Sequence, residues 1–411
     1  MIDTDTHVAV IGGGVVGCAV AHALARRGVE VVLLEAELGL ALGASGSNSG
    51  ILHTGFDSTP GELETRLILR SAALREELLD ELGVTVWRCG ARLAPGEDEE
   101  RAAVARLAEN ARANDVEVRL DEDGSLTVPG ESVSDPVAYV HALAGAAQAG
   151  GATIVLGARV TGLAAAAGGT GRRTAGEGSA GAPGGGLVVT LDTGEQLRVR
   201  AAVNCAGLYA DELARNAGDE LPDVYPRKGE FLVFSAPQEE PLEQILLPVP
   251  SALGKGVLVF PTLDRRAVIA GPTARERKDK RDRSVEADAA ELILAKARCM
   301  YPALRGLGPI GSYAGLRTAG RDANYVIERS RTLPALVHAA AIRSTGLSAS
   351  LGIGEHVVVL LAEAGAISPG AVRALPTPAP PQAGNRWWER AERASHTEVE
   401  PSAAAAPPVT P

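Results

Sequence analysis

The chain has 411 residues, and at roughly 150 residues per domain this length predicts two to three domains with a large buried core. With 45% hydrophobic and 22% charged residues, the chain is too apolar to be disordered overall. Fifty-one acidic against 40 basic residues leave a net charge of −11, which disfavours nucleic acid as a partner. We expect a globular protein that binds no nucleic acid.

Cysteine usage and the lack of targeting signals predict a cytoplasmic, soluble protein. The four cysteines are dispersed, with neither C-x-x-C spacing nor a nearby histidine, so we expect no disulfide and no metal site. The acidic N-terminus lacks the positive charge of a secretory signal. No apolar stretch reaches the roughly 18 residues of a membrane span, the nearest being 357–361, although peripheral membrane contact stays open.

The chain opens with a strand, a glycine turn, a helix and a second strand. Residues 7–11 are apolar and end at Gly12, helical spacing follows over 15–27 and stops at Gly28, and 29–34 is a buried strand. This order predicts one βαβ unit, whose parallel sheet must be covered on both faces.

Further elements follow in chain order. Helices are predicted over 63–82, 97–114 and 135–149, the last opened by Asp135 and Pro136, and strands over 152–160, 187–191 and 197–204. Residues 168–186, rich in glycine and alanine, are predicted to be a flexible hairpin tip, and residues 275–283 are predicted to be a solvated charged loop. Short strands separated by proline and glycine over 225–271 are typical of an antiparallel sheet.

Residues 376–411 are predicted to be a disordered tail, with Trp387 and Trp388 as its only adhesive feature.

The glycine turn carries a dinucleotide-binding motif. Gly12, Gly14 and Gly17 form G-x-G-x-x-G between strand and helix, and Glu35 ends the second strand about 20 residues further on, placed to bind both ribose hydroxyls. The helix N-terminus then faces the phosphates. A purely structural turn is the alternative interpretation, and NAD and FAD share this site, so the motif alone does not choose between them.

Two later segments favour FAD. Residues 43–55, GASGSNSGILHTG, are too polar for a third strand of this sheet, and their small side chains let backbone lie against a flat ring system. Residues 341–348 end a strand and begin a helix, whose N-terminus would place partial positive charge where a reduced flavin needs it.

The chain resembles FAD-dependent oxidoreductases of the D-amino-acid-oxidase type, in the branch that holds glycerol-3-phosphate dehydrogenases and L-2-hydroxyglutarate dehydrogenases. The resemblance spans about 8–364 and rests on separated motifs at 11–17, 47–53, 203–211, 227–230, 254–262, 314–317 and 342–347. The last helix departs from the common pattern, because Gly352 and Gly354 stand where relatives have alanine and cost a helix about 1 kcal/mol each. The C-terminal cysteine cluster of some relatives is absent, so no iron–sulfur relay is expected.

The resemblance implies an α/β fold with two domains. A Rossmann-like FAD-binding domain is expected from residues 1–84, 135–215 and 312–375, and an antiparallel-sheet α+β substrate domain from 85–134 and 216–311. The motifs and the resemblance together predict FAD contacts at Gly12, Gly14, Val15, Val16, Gly17, Glu35, Ala36, Ser45, Asn48, Ser49, Gly50, Val160, Ala206, Gly207, Gly346, Leu347 and Ser348.

The resemblance also implies that His53 and Arg317 lie beside the flavin ring and the substrate. Oxidation of a carbinol carbon needs a base for the hydroxyl proton, and a neutral histidine suits that task. Arg317, predicted in a loop like that of His53, would hold an anionic group, with a structural salt bridge as its alternative role. Lys255 and Arg343 are further candidates for substrate binding. The other histidines considered fall on predicted helices or a strand, where packing or exposure is expected: His22, His141, His338 and His356.

The expected activity is an FAD-dependent dehydrogenase or oxidase acting on a CH–OH carbon of a small anion. Segments 254–262 and 270–274 place sn-glycerol 3-phosphate first, and L-2-hydroxyglutarate is the first alternative. An amine or amino-acid oxidase and a flavin-binding protein without turnover also stay open. No motif in the sequence specifies the electron acceptor, the oligomeric state or the mode of FAD attachment.

Overall fold

A computed structural model of the chain describes residues 7–166, 186–250, 256–377 and 386–396. The helices are α1 Val15–Ala25, α2 Leu63–Glu81, α3 Asp98–Ala113, α4 Pro136–Ala149, α5 Ala210–Asn216, α6 Ala287–Met300, α7 Gly346–Glu363 and α8 Trp387–His396. The strands are β1 Val8–Ile11, β2 Val31–Glu35, β3 Ile51–Leu52, β4 Val86–Trp87, β5 Ala91–Leu93, β6 Arg119–Leu120, β7 Leu126–Val128, β8 Ser132–Ser134, β9 Thr153–Leu156, β10 Val160–Ala165, β11 Leu187–Leu191, β12 Gln196–Val199, β13 Ala201–Asn204, β14 Val224–Ser235, β15 Ile245–Leu247, β16 Leu258–Pro261, β17 Ala267–Gly271, β18 Arg275–Glu276, β19 Gly311–Gly320, β20 Val326–Arg329 and β21 Leu336–Ala340.

A six-stranded sheet in the order β20-β21-β13-β1-β2-β9 positions the glycine turn. Adjacent strands of this sheet pair in parallel, except that β20 runs antiparallel to β21. Alternate residues of β1 enter two different cores: Val8 and Val10 face the cluster that includes α1, whereas Ala9 and Ile11 face a second cluster shared with β11. Both faces are therefore covered, as the sequence predicts for parallel strands.

Close helix packing explains the glycines of α7. A Cβ at Gly352 would lie 2.4 Å from the Leu67 carbonyl oxygen of α2, and one at Gly354 would lie 2.7 Å from the Ala19 carbonyl oxygen of α1. The glycines thus allow α7 to approach both helices closely, which offsets their low helix propensity.

Two single-strand predictions are wrong, because each segment passes from one sheet to another. Residues 152–160 divide into β9 of the six-stranded sheet and β10 of a three-stranded antiparallel sheet, β10-β11-β12. Residues 197–204 likewise divide into β12 and β13. The predicted hairpin tip lies outside the described residues, except for Gly186.

The second large sheet has nine strands, and β3, β8 and β4 form a separate small sheet. The long strand β14 pairs along one edge with β17 and β18 and along the other, over Val224–Val233, with β19. Among the described strands, β19 is thus an edge strand of this sheet. The predicted domain boundary at residue 312 places most of β19 in the FAD-binding domain instead.

The charged segment 275–283 has no buried residue, in keeping with the predicted solvated loop, but its first two residues form β18 and its side chains anchor it. Lys228 of β14 is fully buried, and its Nζ lies 2.9 Å from Asp282 Oδ2 and 3.1 Å from Glu286 Oε1. Lys280 pairs with Glu212 at 2.7 Å, and Arg283 donates to the Leu42 carbonyl at 2.8 Å. Ion pairs and backbone bonds therefore fix the segment to neighbouring elements.

The disordered-tail prediction is wrong for residues 387–396, which form α8. Trp387 and Trp388 are 6% and 4% exposed, and Ala391 is also buried. The helix packs on β19 and on the 3₁₀ turn Ala44–Ser47. The composition of the whole tail hid a helix of ten residues whose buried side chains, Trp387, Trp388 and Ala391, share one face.

One helix in the described part of the chain, α7, is long and apolar enough to cross a membrane, contrary to the sequence expectation. Its packing on α1 and α2 buries 61% of it, as expected for a core helix. Localisation in the cytoplasm stays a prediction.

Candidate active site

The glycine turn at the carboxyl end of β1 has backbone that bears no side chain at its glycines. Gly12 has φ +112°, and a Cβ there would lie 2.4 Å from the Cys205 carbonyl oxygen, while one at Gly17 would lie 1.9 Å from the Gly12 carbonyl oxygen. These contacts pack α1 tightly against the turn. The helix α1 begins at Val15 and Val16 beside this turn, and a helix N-terminus of this kind is where phosphate binds.

Glu35 lies directly against this turn. It ends β2, accepts hydrogen bonds from the Gly13 and Glu37 amides, and is followed by Ala36. The carboxylate is thus fixed beside the turn, at the position from which an acid binds ribose hydroxyls.

The serine-rich loop closes onto the same helix start. Ser45 Oγ accepts from the Val15 amide at 2.9 Å. Asn48 Oδ1 accepts from the Gly50 amide at 2.8 Å, and Ser49 Oγ accepts from the Ile51 amide at 3.4 Å. Gly50, with φ +77°, has no room for a Cβ, which would lie 2.3 Å from the Ser134 carbonyl oxygen.

The remaining predicted cofactor positions lie on three further segments. Ala206 and Gly207 follow β13, and Val160 begins β10 and packs with Ala206 against one apolar cluster. Cys205, just before them, is buried, and burial raises the pKa of its thiol to about 12, in keeping with a packing role. Gly346, Leu347 and Ser348 form the first turn of α7.

His53 follows β3 and is held by a buried carboxylate. Its Nδ1 lies 2.8 Å from Glu131 Oε2, and the Glu131 side chain is completely buried. Glu131 Oε1 accepts from the Thr54 amide at 2.7 Å and from Thr54 Oγ1 at 2.9 Å. With Nδ1 engaged by this carboxylate, Nε2 is the ring nitrogen that can accept a proton from a substrate.

The backbone around His53 is also fixed. Its amide donates to Ser348 Oγ at 2.8 Å, and Arg75, a buried residue of α2, donates to the His53 and Ser348 carbonyls. The predicted base and the start of α7 are therefore joined directly.

Arg317 lies in β19, not in a loop, so that part of the prediction is wrong. Its guanidinium donates to backbone carbonyls: Nε to Arg227 at 3.1 Å and Nη2 to Thr273 at 2.6 Å. No carboxylate pairs with it among the described residues, so the structural salt bridge that was the alternative is absent there. The Thr273 carbonyl is itself held in place, because the Thr273 hydroxyl donates to buried Glu230.

Two further guanidiniums, those of Arg227 and Arg343, are close enough to Arg317 to act on its charge. Burial, and then the charges of Arg227 and Arg343, lower the pKa of Arg317 to about 10, so it stays charged at neutral pH. Neither neighbour pairs with a carboxylate within the described ranges, and Arg343 is exposed. Three guanidiniums that pair with no carboxylate in the described ranges form a candidate site for an anion. Lys255 lies outside the described residues.

Sequence reasoning missed Glu131 and Arg227 as site residues. Glu131 lies just before β8, 78 positions from His53, and nothing in the sequence pairs them. Arg227 lies in a recognised motif, but its place opposite Arg317 follows from the β14–β19 register.

The residues at the glycine turn fit FAD, because the turn leaves no space for side chains where backbone must approach a pyrophosphate, and Glu35 and Ser45 flank it. The chain belongs to the family described as FAD dependent oxidoreductase, whose model matches residues 7–360. It is therefore an FAD-dependent enzyme, and the predicted α/β fold, family and cofactor are confirmed.

Within that family the chain is similar to enzymes of glycerol 3-phosphate and 2-hydroxy acid oxidation. It is 28% identical to a glycerol 3-phosphate dehydrogenase of Caloramator mitchellensis, over 86% of this chain and 73% of the relative. It is also 28% identical to the mitochondrial L-2-hydroxyglutarate dehydrogenase of Nematostella vectensis, over 65% of this chain and 62% of the relative. The dithionite-reduced L-alpha-glycerophosphate oxidase of Mycoplasma pneumoniae, solved with FAD bound, matches with a TM-score of 0.78 and 26% identity, over 93% of this chain and 97% of that one.

Proposed function

We propose that this enzyme oxidises sn-glycerol 3-phosphate to dihydroxyacetone phosphate. The observation that carries the proposal is the guanidinium cluster of Arg227, Arg317 and Arg343, which pairs with no carboxylate in the described part of the chain. Such a cluster suits a doubly charged phosphate, which Arg317 can contact through Nη1 while its Nε and Nη2 atoms stay bonded to backbone carbonyls. Bound in this way, the substrate would be oriented at its C2 carbon.

His53 supplies the base in this proposal. Its Nε2 accepts the proton of the C2 hydroxyl, while the hydrogen on C2 leaves with its electron pair and the C–O bond becomes a carbonyl. FAD, when bound, supplies the two-electron acceptor. Glu131 does not take the proton. It holds Nδ1–H at 2.8 Å and stabilises the imidazolium that forms.

Similarity to the Caloramator and Mycoplasma proteins supports glycerol 3-phosphate as the substrate. L-2-hydroxyglutarate is the second candidate, because its carboxylates would suit the same guanidiniums and a relative of that name is similar over 65% of the chain. Oxidation of an amine or amino acid, which replaces C–OH by C–N, is a third.

Anaerobic titration of the purified holoenzyme separates these candidates. Glycerol 3-phosphate, L-2-hydroxyglutarate and an N-methyl amino acid are added in turn, and absorbance of the oxidised flavin is recorded. We expect bleaching by glycerol 3-phosphate at the lowest concentration. Preferential bleaching by either of the others would replace the proposed substrate, and bleaching by none would favour a flavin protein without this activity.

Glu131→Gln is expected to lower the rate of flavin reduction by about tenfold to a hundredfold, since the amide keeps a hydrogen-bond acceptor but loses the charge that stabilises the imidazolium. Stopped-flow reduction under anaerobic conditions measures this rate, and FAD content should stay unchanged. Glu122→Gln, at an exposed position nearby in the chain, is the matched control. A Glu131→Gln enzyme that reduces flavin as fast as the control would contradict the role given to this carboxylate.

A further inference from the structure

The helix α8 lies beyond the part of the chain that matches the family, which ends at residue 360. It is nevertheless packed into the fold through Trp387 and Trp388. It contacts two segments of the candidate active site, β19 and the 3₁₀ turn Ala44–Ser47.

α8 covers the free edge of the strand that carries Arg317. Along an edge strand, alternate N–H groups have no strand partner and need another acceptor. The Ser312 amide donates to Glu392 Oε1 at 3.1 Å, and the Ala314 amide donates to Ser395 Oγ at 3.0 Å. Two side chains of α8 thus bond successive outward amides of β19.

Aromatic packing continues the same contact into the sheet. The ring of Trp387 meets Tyr313 edge-on at 5.5 Å, and Tyr313 stacks on Phe231 of β14 at 4.6 Å. Gly311 leaves room for the helix, because a Cβ there would lie 2.6 Å from Glu392 Oε1 and 3.2 Å from the Trp388 ring.

The other side of α8 meets the cofactor loop. The helix packs on the turn that holds Ser45, whose hydroxyl accepts from the first amide of α1. Gly315 of β19 approaches the same turn so closely that a Cβ would lie 2.8 Å from Ser47 Oγ. Displacement of α8 would therefore loosen the Ser45 loop and the strand of Arg317 together.

We propose that α8 is a clamp that fixes the Ser45 loop against β19, with Glu392, Ser395 and Trp387 as positioning residues for FAD binding and for Arg317. The part that concerns Arg317 rests on the proposed function. The part that concerns FAD does not, because cofactor affinity needs no substrate. The two can fail separately.

Tryptophan emission gives a direct measure of whether α8 is docked. The chain has three tryptophans, two of them on α8, so Trp87→Phe leaves only the helix as emitter. In this background we compare the double variant Glu392→Ala/Ser395→Ala with Gly311→Val, which pushes on the helix from the strand side. Ala394→Ser, at an exposed position of α8, is the control. The single variant Ser395→Thr keeps Glu392 and a hydroxyl at position 395, so it tests whether a conservative side chain preserves the docking of α8.

Both disruptive variants are expected to shift the emission of the apoprotein to the red and to raise the dissociation constant of FAD at least about tenfold, the effect of losing about 1.4 kcal/mol. KM for glycerol 3-phosphate should rise more than kcat falls, and the Ser395→Thr protein should behave as the control. The clamp is refuted if the emission shifts while FAD affinity stays within about twofold, since the helix then contributes to packing alone. Unshifted emission in both variants would also refute it, because these contacts would not hold the helix.

Discussion

Replacement of His53 by Asn is expected to slow reduction of the flavin by glycerol 3-phosphate by a factor of about 10²–10⁴, the range that general-base catalysis supplies. Asn can still accept from or donate to neighbouring groups, but it cannot take a proton at neutral pH. FAD content should be unchanged, since the glycine turn and the Ser45 loop do not use this side chain. Anaerobic stopped-flow mixing with saturating substrate measures the rate.

His356→Asn serves as the control for this loss, because His356 lies on α7 but further along the helix than the first turn that contacts His53. It should reduce its flavin at the rate of the unmodified enzyme. If His53→Asn stayed within threefold of this control, His53 would not be the base, and the pair it forms with Glu131 would be structural.

Arg317→Ala is expected to lower kcat/KM for glycerol 3-phosphate by about 10²–10³, the cost of removing one partner of a buried charged contact. Most of the loss should appear in KM, because the guanidinium binds the phosphate rather than the reacting carbon. Arg317→Lys should recover only part of it, since an ammonium lacks the planar fork.

Uncharged glycerol separates charge recognition from general damage to the site. Its kcat/KM is expected to be low in the unmodified enzyme and unaltered by Arg317→Ala, because glycerol has no group for the guanidinium to bind. Arg321→Ala, an exposed change just after β19, is the control for the strand. Equal losses for glycerol and glycerol 3-phosphate would show that Arg317 supports the fold of the site and does not select an anion.

The cofactor end of the molecule was predictable from sequence because its determinants are local. Gly12, Gly17 and Glu35 lie within 24 residues of one another, and each follows from the geometry of a βαβ turn. The predicted helix 135–149 was also confirmed, and Asp135 caps it by accepting from the Val137 and Ala138 amides.

The substrate end was less predictable because its contacts join distant parts of the chain. Glu131 meets His53 through the pairing of β3 with β8, and Arg227 meets Arg317 through strand register. Only the three-dimensional arrangement brings these residues together, and short segments such as β3 carry no periodicity.

The tail shows how composition can mislead. Residues 376–411 contain much proline, alanine, serine and threonine, yet ten of them form α8, an amphipathic helix with Trp387, Trp388 and Ala391 buried on one face. The tryptophan pair, the only adhesive feature predicted for this tail, lies on a helix that contacts β19.

The central claim is that His53 and Arg317 act together on the C2 carbon of glycerol 3-phosphate beside the flavin. Its most direct measurement compares anaerobic flavin reduction by glycerol 3-phosphate and by the same compound deuterated at C2. The account predicts complete bleaching with both compounds and a slower rate with deuterium, because the C2–H bond breaks in the step that reduces the flavin. An oxidised spectrum that persists in excess substrate would contradict the account.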